Sequence, residues 1–183
     1  MVEHHVARLL ERDEGARSAA SRFSDLRFGI GLRYPHLRGI ITDMEPVCIV
    51  AREQIEATGL GDRFTAVAAD LMEGPYPQGA DVILLGHILH DWSDDTCRRI
   101  LHHCATALPS GGALLISESV LANDFSGSTV ARIKDLLMLV ANEPGAREWS
   151  ESEYESLLNE TGFQFSHVVR PDAPRDLLVA RKR

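Results

Sequence analysis

Short apolar segments that end beside an acidic residue recur along the chain and constrain its fold more than any other feature. One segment ends at Asp43, a second is followed by Asp70, and a third is followed by Glu118. A fourth, residues 80–86, contains the apolar run VILLG, which is typical of a strand covered on both faces. Because segments with helical spacing separate these runs, we predict an α/β domain with a mainly parallel sheet and helices on both faces.

The boundaries of two early helices can be predicted from their first residues. Pro46 suits the first turn of one helix, and Ser93 is a favourable cap for a second helix that carries Asp94 at its positive end. The apolar stripe expected in the first helix consists of Val47, Val50, Ala51 and Ile55. The buried stripe expected in the second consists of Cys97, Ile100, Leu101, Cys104 and Leu108.

The C-terminal third of the chain is predicted to hold two more helices and a closing strand pair. One helix is expected over residues 130–140. Another begins at a capping box formed by Ser150 and Glu153 and ends before Gly162. Residues 163–169 and 176–180 have the composition of strands. Residues 2–22 are predicted to form a surface helix at the other end of the chain.

Composition and charge exclude several classes of function. The 183 residues carry a formal net charge of −8 without a basic cluster, so we expect no nucleic-acid partner. We expect no membrane association, because there is no apolar stretch of transmembrane length and no signal peptide. Three cysteines are too few for a disulfide framework. These features predict a cytoplasmic protein.

Acidic residues and one histidine mark a candidate site. Ligands of open parallel sheets bind beyond the carboxyl ends of the strands. Asp43, Asp70 and Glu118 fall at three such ends, and His90 follows the fourth. A metal site built from the other histidines and the helix cysteines is a possible interpretation. The spacing of His87, His102, His103, Cys97 and Cys104 matches no zinc pattern, so we predict no metal.

The most specific motif is ILHDWSD at residues 88–94, which follows ADVILLG and precedes a predicted helix. It resembles the signature of the S-adenosylmethionine-dependent O-methyltransferases that act on phenols and other small hydroxylated metabolites. The likeness extends from Tyr34 to the C-terminus. It includes YPHLRG at 34–39, GLGDRF at 59–64, PSGG at 109–112 and PGAREWSE at 144–151. The resemblance implies a Rossmann-like class I methyltransferase domain with an antiparallel closing strand.

The resemblance also assigns catalytic roles to four residues. Methyl transfer from a sulfonium to a hydroxyl needs removal of the hydroxyl proton, and a histidine with a pKa near neutrality suits that task. His90 matches the family's general base, and Glu148 matches the acid that orients it. Glu118 is expected to flank the base, and Asp91 to help frame the sulfonium end of the cofactor.

For the cofactor, S-adenosyl-L-methionine, the resemblance implies four further contacts. Asp43 matches the acid that binds the ribose hydroxyls, a role that carboxylates often take in such folds. Asp70 is expected beside the adenine, with Leu71 and Met72 as its apolar neighbours. The acceptor is expected to be a small aromatic, polyketide-like or isoprenoid-like molecule with a hydroxyl group.

The chain departs from the family pattern near its N-terminus. We expect residues 1–33 to be a helical lead with the remnant of a lost glycine-rich loop, and residues 34–183 to be the catalytic domain. The pair Gly29 and Gly31 is too weak to count as that loop, so the central first strand is expected to be missing or replaced, either by the lead helix or by residues 23–28. Loss of the loop is expected to weaken cofactor binding, and the lack of the helical N-terminal domain that the resemblance implies is expected to leave the acceptor pocket open to water. Exposed apolar surface would favour a homodimer or capture by another chain.

Two alternative functions follow from these departures. A non-catalytic, truncated methyltransferase-like interaction module would retain the fold and lose the chemistry. A nicotinamide-dependent dehydrogenase would also use Asp43 as a ribose acid, but it requires a glycine fingerprint that does not precede this residue.

Overall fold

The computed structural model describes residues 30–124, 126, 129–171 and 175–183. The chain divides into two compact units, Met1–Pro77 and Gln78–Arg183. The helix predicted over residues 2–22 and residues 23–28, the two segments considered as replacements for the first strand, lie outside the described residues. Most of the region in which the family's first strand and glycine-rich loop would be expected also lies outside the described residues.

The first unit contains a two-stranded parallel sheet with one helix. Its elements are β1 (Gly39–Asp43), α1 (Glu45–Ala57) and β2 (Phe64–Ala68), and residues 30–33 are helical. The strands pair in parallel with Asp43 opposite Ala68, so both carboxyl ends lie at the same edge. The core between the sheet and the helix comprises Ile41, Ala51, Ile55, Leu60 and Phe64.

The buried face of α1 differs from the predicted one. Ala51 and Ile55 are buried as expected, but Val47 and Val50 are 39% and 53% exposed, and Cys48 is fully buried in their place. Cys48, Ala51 and Ile55 are spaced by three and four residues, which places them on one face of the helix. Val47 and Val50 lie on the flank of that face.

Two glycines of the first unit are required by close packing. A Cβ atom on Gly39 would lie 2.4 Å from the Phe64 ring, and one on Gly31 would lie 2.8 Å from the same ring. Gly31 therefore serves the local core here, in agreement with its exclusion from a cofactor loop.

The second unit contains a four-stranded mixed sheet. Its strands are β3 (Val82–Gly86), β4 (Ala113–Glu118), β5 (Phe163–Val169) and β6 (Asp176–Lys182), in the spatial order β3-β4-β6-β5. β3 and β4 are parallel, whereas β6 runs antiparallel to both β4 and β5. The predicted antiparallel closing pair is confirmed.

Strand β3 is more exposed than its apolar sequence predicts. β4 is buried along its whole length, but in β3 only Leu85 is buried, and Val82 is 38% exposed. The reason is position: β3 lies at the edge of the described four-stranded sheet and has one neighbour, whereas β4 has two.

The helices of the second unit are α2 (Asp94–Ala107), α3 (Thr129–Ala141) and α4 (Glu151–Glu160). Ser93 caps α2 by accepting a hydrogen bond from the Thr96 N–H, and the predicted buried stripe of this helix is confirmed. Ser150 and Glu153 form the predicted capping box of α4. None of the helices in the described ranges is long and apolar enough to cross a membrane.

Candidate active site

His90 lies in a 3₁₀ turn, Leu89–Asp91, that follows β3, and its side chain is buried. Its Nδ1 atom is 3.3 Å from Glu148 Oε1 and 3.2 Å from Glu118 Oε2. Only the contact with Glu148 has hydrogen-bond geometry, whereas Glu118 makes a charge contact. The structure thus brings together three residues that are far apart in the sequence.

Glu118 holds the turn that carries His90. It is the last residue of β4 and is fully buried. Its Oε1 atom accepts hydrogen bonds from the backbone N–H groups of Ile88, at 2.8 Å, and Leu89, at 3.1 Å. Its second oxygen faces the imidazole. Glu118 therefore fixes the backbone on which His90 is mounted and also places negative charge beside the ring.

Glu148 reaches the same ring from the loop between α3 and α4. Its side chain is buried, and its backbone N–H donates a 3.0 Å hydrogen bond to Asp135 Oδ1 on α3. A carboxylate that accepts a hydrogen bond from Nδ1 fixes the imidazole tautomer and leaves the Nε2 lone pair to accept a proton. This geometry is that of a base and an orienting acid.

The carboxylates make His90 more basic than the sequence predicts. Burial alone lowers the pKa of His90, but the hydrogen bond to Glu148 and the charges of Glu118, Glu148 and Asp91 together raise it to about 9. This pKa lies above the near-neutral range that best suits a general base. Burial likewise raises the pKa of Glu118 to about 7, against the opposing charge of His90.

Asp91 lies on the other side of the ring. Its Oδ1 atom is 3.5 Å from His90 Nε2, and its side chain is partly exposed. Burial, reinforced by the charge of Glu148, raises the pKa of Asp91 against the pull of His90. Asp91 is thus placed beside the nitrogen that would take up a proton.

His87 is a site residue that the sequence analysis did not use. It follows β3 and adopts a left-handed backbone conformation with φ of 53°. Its ring packs edge-to-face on that of His90, with the centroids 5.1 Å apart. Burial and nearby positive charges lower its pKa to about 3, so its ring is neutral at physiological pH. From the sequence it was considered only for a metal site, because its contact with His90 depends on the unusual backbone turn.

Several polar atoms in this buried cluster lack hydrogen-bond partners among the described residues. They are Oε2 of Glu118, Oε2 of Glu148, and the hydroxyl of Tyr154. Burial, followed by the charges of the two glutamates, raises the pKa of Tyr154 well above its usual range. Separately, His87, His90 and Glu118 place one potential ligand atom each within 4.8 Å of one another. Of these three residues, only His87 belonged to the group considered from the sequence.

The helix residues that were weighed as alternatives have structural roles. Asp94 is the first residue of α2 and forms a salt bridge with Arg147, in keeping with the helix-end role predicted for it. Cys97 and Cys104 are buried thiols in the core stripe, and burial raises the pKa of each to about 12. Their position agrees with core packing.

The predicted cofactor residues lie together in the first unit. Asp43 ends β1, and its backbone carbonyl accepts a hydrogen bond from the N–H of Ala69, the residue before Asp70. Each carboxylate accepts one backbone N–H with Oδ1: that of Met44 for Asp43 and that of Met72 for Asp70. Both acids are therefore oriented at the same edge of the two-stranded sheet.

Leu71 and Met72 follow in a turn and are half-buried. The Leu71 carbonyl accepts a 2.8 Å hydrogen bond from the Tyr76 hydroxyl, which fixes the turn. The first unit thus carries the four residues predicted to contact the cofactor.

Comparison with known proteins identifies a family. Residues 26–164 match the family model described as "O-methyltransferase domain". The chain is 37% identical over 164 residues to a 3-hydroxy-5-methyl-1-naphthoate 3-O-methyltransferase of Streptomyces sahachiroi, a match that covers 86% of this chain and 47% of that protein.

Solved structures agree with this match. Mitomycin 7-O-methyltransferase superposes with a TM-score of 0.81 at 33% identity, covering 87% of this chain and 46% of that one. An O-methyltransferase from neocarzinostatin biosynthesis, in complex with S-adenosylmethionine and 2-hydroxy-5-methyl naphthoic acid, gives 0.77 at 26% identity, with 87% and 46% coverage. The chain spans less than half the length of each of these three relatives.

Proposed function

Because this chain belongs to the family of S-adenosylmethionine-dependent O-methyltransferases, we propose that it transfers a methyl group to a hydroxyl of a small aromatic acceptor, with His90 as the general base. The observation that carries this proposal is the buried imidazole held at Nδ1 by Glu148 and Glu118. A buried histidine flanked by two buried carboxylates is costly to maintain, and such perturbed clusters are concentrated at functional sites.

The proposed chemistry follows from the two ring nitrogens. In the neutral form of the ring, Nδ1–H donates a hydrogen bond to Glu148, so that Nε2 presents its lone pair and removes the proton of the acceptor hydroxyl. The positive charge that forms on the ring is then stabilised by Glu148 and Glu118. Asp91, 3.5 Å from Nε2, adds to this stabilisation.

The residues of the first unit fit S-adenosylmethionine, which when bound supplies an activated methyl group on a sulfonium. The oriented Asp43 carboxylate at the carboxyl edge of the parallel strands matches the hydroxyl donors of a ribose. We propose that Asp43 holds the ribose, and that Asp70, with Leu71 and Met72, borders the adenine. The assignment of residues 34–183 as the catalytic domain is part of the same proposal.

The acceptor class is supported by the relatives, one of which is a hydroxynaphthoate methyltransferase and another of which was solved with a hydroxynaphthoic acid. We propose a small hydroxylated aromatic acceptor for this chain. The hydroxyl is the group that His90 deprotonates, so an acceptor whose hydroxyl is already methylated should not react.

Two titrations and one rate measurement test the proposal. Calorimetric titration with S-adenosylhomocysteine should show binding, and Asp43→Ala should weaken it by about ten- to a hundredfold, the usual cost of a lost charge-assisted hydrogen bond. Asp62→Ala is the matched control, because Asp62 is an exposed aspartate of the same unit. Equal affinity in both variants would place the ribose elsewhere.

The rate measurement uses methyl transfer from S-adenosylmethionine to a hydroxynaphthoate. His90→Gln should lower the rate by about a hundred- to ten-thousandfold, the usual contribution of a general base. His102→Gln, which alters an exposed histidine of α2, should leave the rate unchanged. A rate insensitive to His90→Gln would refute the assignment of the base.

One observation favours the second candidate, a non-catalytic interaction module. Helix α3 exposes a run of large apolar side chains, namely Ile133, Leu136, Leu137, Leu139 and Val140. Such a surface is typical of a protein interface. Absence of S-adenosylhomocysteine binding, together with concentration-dependent association in sedimentation, would favour this candidate over the enzyme.

A further inference from the structure

The loop that carries Glu148 is linked to the segment that carries His90 by contacts outside the imidazole cluster. We call residues 142–150, between α3 and α4, the acid loop. Arg147 in this loop pairs with Asp94 at two points: Nη1 contacts Oδ1, and Nη2 lies 3.4 Å from Oδ2. Asp94 is the first residue of α2 and closely follows the turn of His90. Arg147 therefore joins the two segments whose side chains meet at the imidazole.

Glu143 makes a second link between the same two segments. Its Oε2 atom accepts a 2.6 Å hydrogen bond from the backbone N–H of Ser93. Its own backbone N–H donates a 3.3 Å hydrogen bond to the carbonyl of Asp91. The acid loop is thus attached at two places to the chain just after His90, and Glu148 directly follows the second of them.

The guanidinium of Arg147 has further contacts that keep it on the acid loop. It lies over the ring of Trp149, 4.0 Å from the centroid, and its Nη2 atom is 3.4 Å from Oε1 of Glu153 on α4. A planar guanidinium suits this combination, because it can stack on a ring while it pairs with carboxylates at its edge. The side chains of Arg147 and Asp94 are 34% and 42% exposed, so their pair should add little to the stability of the fold. Its effect is on the position of the loop.

The position of the acid loop matters because its contact with His90 is at the limit of hydrogen-bond distance. Glu148 Oε1 lies 3.3 Å from Nδ1, beyond the usual range of about 2.7–3.2 Å. The second oxygen of this carboxylate has no hydrogen-bond partner in the described part of the chain, so the carboxylate depends on the loop backbone for its position. An outward shift of about 0.5 Å would break the contact.

We propose that Arg147 is a positioning residue for methyl transfer, which acts through Glu148 on the base. Its pair with Asp94 holds the acid loop where Glu148 can accept the hydrogen bond from the imidazole. This inference rests on the proposed function and adds a residue to it. Misplacing a reacting group by about 1 Å can lower a rate by about a hundredfold, so a contact outside the cluster can control the chemistry.

The test measures rate, titration and binding separately in the 183-residue chain. Arg147→Met removes the guanidinium and keeps an apolar side chain to pack on Trp149. Methyl transfer from S-adenosylmethionine to 3-hydroxy-2-naphthoate, with both at saturation, should slow by about ten- to a hundredfold. NMR titration of the His90 ring should show a lower pKa, because the hydrogen bond to Glu148 that raises it is lost. The calorimetric affinity for S-adenosylhomocysteine should stay within about threefold of wild type.

Two further variants and one control isolate the ion pair. Arg147→Lys keeps the charge but not the planar fork, so its rate should lie between those of Arg147→Met and wild type. Asp94→Asn removes the charge at the other end of the pair and should reproduce the defect in rate and titration. Asp95→Asn is the matched control, because Asp95 is the next acid in the first turn of α2 and its side chain is 96% exposed. It should leave both readouts unchanged.

The outcomes separate this inference from the proposed function. A wild-type rate and a wild-type His90 titration in Arg147→Met would overturn the inference and leave the proposed function standing. A lower urea midpoint with an unchanged pKa of His90 would also overturn it, because a merely structural role predicts that result. A lowered pKa in Arg147→Met, without methyl transfer by the wild-type chain, would support the positioning of Glu148 and contradict the proposed function. If Arg147→Met does not fold, Asp94→Asn and Arg147→Lys decide the question by the same readouts.

Discussion

Replacing Glu148 with Gln should change the pH dependence of methyl transfer more informatively than it changes the rate. Glu148 accepts the Nδ1 hydrogen bond at 3.3 Å and contributes to the raised pKa of His90, about 9. At pH 7 a group with this pKa is neutral in about one molecule in a hundred, so a base of this kind works better as the pH rises. Under the proposed function, the wild-type rate should increase up to about pH 9.

The size of the effect follows from the contact. Two unit charges 3.3 Å apart interact by about 5 kcal/mol at an effective dielectric constant of about 20, and relaxation leaves only a part of this. We expect Glu148→Gln to lower the pKa of His90 by about one unit or more, each unit corresponding to about 1.4 kcal/mol. The neutral fraction at pH 7 then rises about tenfold.

The higher neutral fraction favours a faster rate, whereas the loss of the orienting carboxylate lowers the rate, because a neutral amide stabilises the imidazolium less well. The defect of Glu148→Gln relative to wild type should therefore be about fivefold larger at pH 9 than at pH 7. The assay is single-turnover methyl transfer across pH 6 to 10, with NMR titration of the His90 ring as a readout that needs no turnover. Glu155→Gln, an exposed change on α4, is the control. A wild-type profile already flat at pH 7, or one unaltered in Glu148→Gln, would refute this reasoning.

Three further predictions concern stability. Ser150→Ala removes the capping box of α4 and should cost about 1 kcal/mol in urea denaturation, and an unchanged midpoint would contradict the role of the cap. Gly39→Ala forces a Cβ against the Phe64 ring and should lower the free energy of unfolding by about 1–3 kcal/mol. Adding Phe64→Leu to the same chain should recover part of this loss. Full stability of the single variant Gly39→Ala would show that the ring moves freely. Folding raises the pKa of His90 from 6.5 to about 9 and that of Glu118 from 4.5 to about 7. Protonation of each group therefore stabilises the fold fully below its unfolded pKa, and this stabilisation is lost as the pH rises through its folded pKa. The stability advantage of the wild-type chain over His90→Gln should therefore shrink between pH 6.5 and 9, and a constant difference would refute the raised pKa.

The order of the elements and most of their ends could be predicted because each depends on local signals. Ser93 and the pair of Ser150 and Glu153 mark helix starts through hydrogen bonds within four residues. The apolar run of β3 predicted a strand covered on both faces, but β3 lies at a sheet edge, and it is β4 that is buried along its whole length. Burial failed as a prediction where it depends on neighbours that sequence periodicity cannot specify, as at Val50 in α1 and Val82 at the edge of its sheet.

The candidate site shows the same division. His90 could be identified from a continuous motif, and Glu118 from its position at a strand end. Glu148, which is 58 residues away from His90 in the sequence, contacts the same ring nitrogen that Glu118 faces. Tertiary packing decides this contact. The basicity of His90 follows from that packing too, because a pKa depends on the distance and burial of charges, which spacing along a chain does not encode.

His87 marks the limit of what the residues alone reveal. Its type suggested nothing beyond a rejected metal site, and its contact with His90 arises from a left-handed backbone turn that few residues adopt. Lys134 appeared only as one residue of a predicted helix, and its hydrogen bond to Ser119 depends on how that helix packs on the sheet. Local sequence determined the secondary-structure elements and contains the motif by which the family is identified. The tertiary structure decided which charges meet, because electrostatic interactions depend on separation in space.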